Sequence, residues 1–547
     1  MSKPNFVDRR KFLASNAGAL GAAFFGGFPL EAMAAQATPP AQMNWDTGLV
    51  RHLLPTVSDS RILLKVSFTQ PLSAAPTLRV GTAQIAGRMN DTAGEHWQFY
   101  ATDLEPARTY DLALVTADGS SLCEPWKLTT FPAPSARPER CRLLYFTCAG
   151  GTGGTYSGIG KREGFLPAAI RNRILRRALS FKPDAAVAIG DHMYWDIHTW
   201  QGEDAGQLSE SGRLSNFDFS GSVFGTNNET AMKAAAGPQI TPVYGADFRS
   251  TPVFFLQDDH DHWENDAVTD DIASFPVPWF QLQLARATQQ LYYPEFLPDS
   301  RRPVGLPWSS AADRGDLSES FGTIRYGNLA EVLLYDVRRT MSLGGPNAVF
   351  VDSQVEKWLL QRTSATDTRH LVHVPSNPFG WSAGKWGEWY PDILDNQAAA
   401  LTTSVPKPYW QPGWLKQHDR LAAAIGGQIK RAPLIVSGDL HAIAVGRMKR
   451  SGSLDLSKNP ITAVLSGPVG TSIRGFPSVV RGIGGTPPDH LDLEESVAPI
   501  EEHGFTIADF LPDRIVLSQY KWDVKSQPLD AIDHMEPFYT TELERPA

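Results

Sequence analysis

Ala185-Ala186-Val187-Ala188-Ile189-Gly190-Asp191-His192-Met193-Tyr194 runs from five apolar residues straight into a glycine, a carboxylate, an imidazole and a phenol. A short, continuously apolar run that stops at a glycine reads as a strand buried on both faces, as in parallel sheets covered by helices. Three other apolar runs also lead into residues that bind metals. Leu143-Leu144-Tyr145-Phe146 leads into Thr147-Cys148-Ala149-Gly150-Gly151. Val253-Phe254-Phe255-Leu256 leads into Gln257-Asp258-Asp259-His260-Asp261-His262, and Leu434-Ile435-Val436-Ser437 into Gly438-Asp439-Leu440-His441. A single Asp or His after a strand is ordinarily a turn residue or a helix cap. Four strand ends that each deliver thiolate, carboxylate, imidazole or phenolate form a pattern. In α/β sheets the loops past the carboxyl ends of strands make the ligand crevice, so residues far apart in sequence converge there on one metal-binding point.

Around these four runs the text alternates between strand and helix. Val332-Leu333-Leu334-Tyr335 is a further strand, and Ala168 to Leu179, Ser353 to Gln361 and Trp414 to Ile425 read as helices. Alternation of this kind predicts an α/β layered domain, spanning 139–540. It is preceded by a proline-rich linker, Pro132-Ala133-Pro134-Ser135-Ala136-Arg137-Pro138, and by a stretch of different character, 44–135. There, short runs such as Ile62–Phe68, Thr77–Gly81, Trp97–Ala101 and Tyr110–Val115 are separated by Pro71, Gly94, Pro106 and Asp118-Gly119. That spacing predicts an all-β sandwich, and Leu104 to Leu112 resembles the turn-and-tyrosine stretch of fibronectin-like domains. Gly202 to Gly245 is polar and rich in Gly, Ser and Asn, and reads as an insertion near the site.

The whole chain has 547 residues, 42% of them hydrophobic and 20% charged, which excludes wholesale disorder and a polytopic membrane protein. Its net charge of -9 argues against a nucleic-acid partner, which needs a basic face. Three cysteines are too few for a disulfide scaffold, although Cys123 and Cys141 are candidates for one pair. Residues 1–35 read as a signal peptide: Arg9-Arg10-Lys11-Phe12-Leu13, an apolar Gly/Ala-rich run from Ala17 to Phe28, then Ala32-Met33-Ala34-Ala35. The paired arginines mark it as a twin-arginine signal, so the expected export partner is the Tat translocase and the expected location periplasmic or secreted. No later run is long and apolar enough to predict a transmembrane segment in the mature chain.

The strand–Gly-Asp-x-x-Tyr loop, the Asp-Asp-His-acidic loop and the Gly-Asp-x-His loop, taken with Cys148, resemble the calcineurin-like metallophosphoesterases. Within them the pattern is most similar to the alkaline phosphatase D (PhoD) family. Asp336-Val337-Arg338, Gln354, Trp358 and Lys385-Trp386-Gly387-Glu388-Trp389-Tyr390-Pro391 add to the resemblance, as do the sandwich and the twin-arginine signal. It implies a four-layer α/β/β/α catalytic domain that hydrolyses a small phosphate-ester substrate, monoesters first, by a two-metal hydroxide mechanism at an alkaline optimum. It further implies a binuclear or larger metal centre, Fe3+ with Ca2+ or another divalent metal. Asp191 would bridge. Cys148, Tyr194 and His441 would complete the ferric site, and Asp259 and Asp439 the second site, with Asp439 alternatively orienting His441. His260 would be the catalytic residue beside the phosphate. Asp258 reads as a structural acceptor, Arg338 as a partner for carboxylate or phosphate, and His192, His198 and His262 as surface or supporting groups. Gln257, Asp261, His262 and His192 depart from the usual family pattern (Trp, Glu, an apolar residue and an aromatic), so they alter the pocket wall.

Two other readings remain at this point. One is a phosphodiesterase or phospholipase D-like activity on the same centre. The other is a non-catalytic cell-surface binding protein in which the strand-end groups are relics.

Overall fold

The computed structural model describes residues 45–151, 155–156, 162–163, 165–195, 217–262, 276–303, 305–307, 317–342, 344–383, 393–395, 400–402, 412–480, 482–488 and 491–545. The expected signal segment, His198, Lys385–Pro391 and residues 202–216 lie outside them.

Before the linker, eight strands form two four-stranded antiparallel sheets. One has the order Val50–Val57, Ile62–Phe68, His96–Ala101, Arg88–Met89. The other has the order Ala83–Ala86, Thr77–Val80, Thr109–Val115, Trp126–Thr129. Alternate residues of a strand face opposite ways. Accordingly Leu53, Leu64, Val66 and Phe99 from the first sheet share a core with Leu78, Leu112, Leu114 and Leu128 from the second. The Tyr110 hydroxyl accepts a hydrogen bond from the Glu105 backbone N–H at 2.7 Å, tying the turn to its strand as the sequence suggests.

Beyond the linker lie two mixed sheets. The first runs Val253–Leu256, Ala185–Ile189, Cys141–Thr147, His503–Phe510, Arg514–Trp522, Tyr539–Glu544; its first three strands are parallel and the rest antiparallel. The second runs Phe321–Tyr326, Ala330–Tyr335, His370–Pro375, Leu434–Ser437, Ile461–Ser466, Ile443–Ser451, Leu454–Asp455, with Leu491–Ile500 also on Ile443–Ser451. Successive residues of each strand enter different cores. Leu143, Tyr145, Val187 and Leu256 pack with Val332, Val372, Leu434 and Val436 of the other sheet. Leu144, Phe146, Ala186 and Phe255 instead meet Ile170, Ile174, Ile240 and Leu284 of helices Ala168–Ser180, Asn227–Tyr244 and Trp279–Tyr292. Leu333, Tyr335, Leu371 and Ile435 meet Trp358, Leu359, Leu421 and Ile425 of helices Ser353–Ser364 and Pro412–Gly426. This explains the continuously apolar strand runs: both faces are covered.

One expectation is corrected, and one alternative the sequence left open is closed. Residues 227–244, read as part of a polar insertion, form an α-helix capped by Thr226, whose side chain accepts from the Asn228 N–H. Its helix-forming run Glu229–Ala236 outweighs Gly237, Pro238 and Pro242, the residues that read as loop. Cys123 and Cys141 are both free and buried, so they do not pair.

The N-terminal sheets are joined to the rest by buried charge. Lys65 Nζ lies 3.0 Å from the Glu295 carboxylate and 2.6 Å from Gln98 Oε1, with both charged side chains at 1% exposure or less. Asp91, Glu95 and His96 sit close enough to hold a cation, but Lys233 already puts its ammonium 2.6 Å from Asp91 and 3.7 Å from Glu95. Removing one partner of a buried pair strands the other. Lys65→Met is therefore expected to cost about 3–5 kcal/mol in denaturant unfolding, and adding Glu295→Leu to recover most of it. An unchanged midpoint for Lys65→Met would show that the pair contributes nothing.

Candidate metal centre

The first sheet sends three of the four chemistry-bearing loops out of neighbouring parallel strands, and the second sheet sends the fourth. They meet where the sheets touch. Thr147 N donates to Gly467 O at 3.0 Å, and Asp439 N donates to Thr147 Oγ1 at 3.3 Å. The glycine of each Gly-Asp pair makes this approach possible. A β-carbon on Gly438 would fall 2.4 Å from Thr147 Oγ1 and 2.6 Å from Ile189 O. One on Gly190, whose φ is 70°, would fall 2.4 Å from Asp258 Cβ.

Cys148, Asp191 and His441 place donor atoms within 4.8 Å of one another. So do Asp191, Asp259 and His260, and so do Asp258, Asp259 and Asp439. Asp191 belongs to two of these groups and Asp259 to two, so the three are one continuous centre. Around Asp191 Oδ2 stand Tyr194 Oη at 3.2 Å, Cys148 Sγ at 3.3 Å and His441 Nε2 at 3.9 Å. Tyr194 Oη is also 3.1 Å from His441 Nε2. The His260 ring lies over Tyr194, centroid to centroid 4.2 Å, with Nε2 3.9 Å from Asp259 Oδ2. Every residue proposed as a ligand from sequence is therefore brought into this pocket: Cys148, Asp191, Tyr194, Asp259, Asp439 and His441, with His260 beside them. His260 and His441 keep 11% and 13% of their side chains accessible, against 0–2% for Asp191, Asp259 and Asp439, so the histidines sit on the solvent side.

The backbone is strained where the donors are. Seven non-glycine residues among those described have positive φ, and four of them are Cys148 (52°), Asp191 (57°), Asp439 (67°) and His441 (50°). Such conformations cost on the order of 1–3 kcal/mol each and persist only when their surroundings over-determine them. The surroundings here do so with named bonds. Gln239 Oε1, from helix Asn227–Tyr244, accepts from the N–H of Gly151 at 2.8 Å and of Tyr194 at 3.1 Å, clasping two loops together. Arg171 Nη1 donates to the carbonyls of Ala149 and Gly150 at 2.9 and 2.8 Å. His441 Nδ1 meets Gly475 O at 2.9 Å, which fixes the ring with Nε2 toward Asp191. Arg338 bonds Asp258 at 2.7 Å and Asp439 at 2.8 Å, so it holds carboxylates. His192 is buried and bonded to Leu256 O at 2.7 Å, and His262 faces Asp336 at 3.6 Å; both support the loops from behind.

Burial pushes the Asp191 and Asp258 carboxyls well above the usual range, and neighbouring carboxylates add to it. It raises the Cys148 thiol likewise, with Asp191 contributing. Asp191 Oδ1 and Asp258 Oδ2 are buried and accept no hydrogen bond. Buried carboxyls this close together resist ionising side by side, whereas bound cations would let them ionise and would use the spare oxygens. The donors present thus fit a metal centre. Asp258, read from sequence as a structural acceptor, does accept from Arg338, and it also lies within the donor cluster. It missed Gln239 and Arg171 altogether, since neither belongs to a strand-end motif.

No family model matches the sequence, and no curated protein matches it. Solved structures do. A structure of PhoD superposes with a TM-score of 0.56 at 14% identity, covering 93% of this chain and 92% of that one. The purple acid phosphatase PPD1 from yellow lupin (Lupinus luteus) seeds superposes with a TM-score of 0.52 at 13% identity, covering 90% of this chain and 74% of that one. Over most of its length, this chain has an α/β fold shared with PhoD and the lupin purple acid phosphatase.

Proposed function

We propose that the chain is a PhoD-like metal-dependent phosphoesterase, acting first on phosphate monoesters. The observation that carries this reading is the convergence of Cys148, Asp191, Tyr194, Asp259, Asp439 and His441 on one pocket, four of them in strained backbone. Relics are under no constraint to keep strain of this kind, which argues against a purely adhesive protein. The two sheets packed on each other, with helices on their far faces, support a four-layer α/β/β/α catalytic domain, and the two N-terminal sheets a fibronectin-like sandwich. Arg9-Arg10 supports export through the Tat translocase. Among the described residues no helix is long and apolar enough to cross a membrane.

Cys148, Tyr194 and His441 would hold a ferric ion, with Asp259 and Asp439 on Ca2+ or another hard divalent ion and Asp191 between the two. Bound there, two cations supply charge to neutralise the phosphoryl oxygens and to acidify a nucleophilic water. The protein does the rest. Asp191 would be shared by the two ions, Arg338 holds Asp258 and Asp439 in place, and Gly475 O orients the His441 ring. His260, on the open side, places Nε2 to protonate the departing alkoxide.

Elemental analysis of the purified chain, combined with p-nitrophenyl phosphate and its bis-ester as substrates, tests this. Two metals per chain and a faster monoester rate are expected. A faster bis-ester rate makes the enzyme a diesterase. Less than about one metal per chain removes the two-cation mechanism.

A further inference from the structure

We propose that Asp261 is a positioning residue whose carboxylate, wedged between the two ligand loops, fixes the backbone of Asp191 and Asp258 and so sets the geometry of the centre. This rests on the metal-centre reading above. Asp261 Oδ2 accepts from the N–H of Asp191 at 2.8 Å and of Asp258 at 3.0 Å. Oδ1 accepts from the N–H of His192 at 3.1 Å and of Met193 at 3.0 Å. Three consecutive amides of one loop and one amide of the next therefore point at a single buried carboxyl group, in the manner of a backbone nest. Asp261 is 2% exposed, and among the described residues it has no cationic partner. Its whole interaction is with backbone.

That arrangement explains a feature the donors alone do not. Asp191 has positive φ, and its amide, with those of His192 and Met193, is directed at Asp261. Without the carboxylate, four buried N–H groups lose their acceptor, and the strained turn loses what opposes its relaxation. Asp191 would then leave the position it shares between the Cys148–His441 and Asp259–His260 groups. Asparagine tests this sharply, because its NH2 would face two donors. Glutamate keeps both oxygens and adds one methylene.

The full-length chain, stripped with chelator, would be titrated with Mn2+ and the free-ion EPR signal followed. Wild-type protein is expected to take up Mn2+. Asp261→Asn is expected to bind it about 10–100-fold more weakly, the range for groups that orient ligands, with unchanged far-UV circular dichroism. Asp261→Glu is expected to restore part of the loss. Equal binding by wild type and Asp261→Asn overturns the positioning role. Failure of wild type itself to bind Mn2+ overturns the metal centre, and the positioning role with it. Should Asp261→Asn not fold, amide exchange in the wild type decides. The amides of 191–193 must then exchange as slowly as those of strand Ala185–Ile189; rapid exchange overturns the proposal.

Discussion

Asp191→Asn is expected to lower the hydrolysis rate by roughly a thousandfold or more, at least the effect of removing a preorganised donor from an oxyanion site. The same substitution should cut the metal content of the purified chain. Asp191 is the residue common to the Cys148–His441 and Asp259–His260 groups, and the same Oδ2 is approached by Cys148, Tyr194 and His441. Asparagine keeps the shape but withdraws a charge from both groups at once. Elemental analysis and kcat on p-nitrophenyl phosphate, measured side by side, check it. A variant that retains both its metals and its rate would show that Asp191 bridges nothing.

His260→Asn is expected to behave differently. Its ring stacks on Tyr194 at the open side of the pocket, with its Nε2 3.9 Å from Asp259, so the metal content should remain close to wild type. What is lost is a proton donor, a group whose contribution is typically about 10²–10⁴-fold. The size of the loss should depend on the leaving group. An alkyl phosphate, whose alkoxide is strongly basic, needs the proton and should suffer most. p-Nitrophenolate leaves readily without it and should suffer least. Equal losses on both esters would mean that His260 binds phosphate instead of protonating the leaving oxygen.

The strand-end loops were legible in the sequence because each couples an unbroken apolar run to a polar cluster, and both halves have a physical reason. The run is covered on two faces, and the cluster lies at the seam of two sheets. Gly190 and Gly438 were legible too, since close approach leaves room for nothing larger. The supports were not. Gln239 lies on a helix whose Gly237, Pro238 and Pro242 read as loop, and its neutral amide resembles any surface glutamine until the fold folds it under the loops. Arg171 is one of several arginines in the run Ala168 to Leu179, which reads simply as a helix. Asp261 was noticed as a departure, but its contacts are to backbone amides, which leave no trace in side-chain pattern. The edge strand Tyr539–Glu544 was likewise obscure: its alternation of half-buried and exposed residues is weaker than that of a core strand.

Strand order has a consequence for how the centre comes into being. Cys141–Thr147, which leads directly into Cys148, is paired on one side by Ala185–Ile189 and on the other by His503–Phe510; Arg142 grips Asp509 across 367 residues of chain. A ribosome reaches the second of these neighbours long after the first has been made. The pocket therefore stays unfinished through most of translation, with one flank of its central strand uncovered, and ion capture has to wait for the closing stretch of polypeptide to dock.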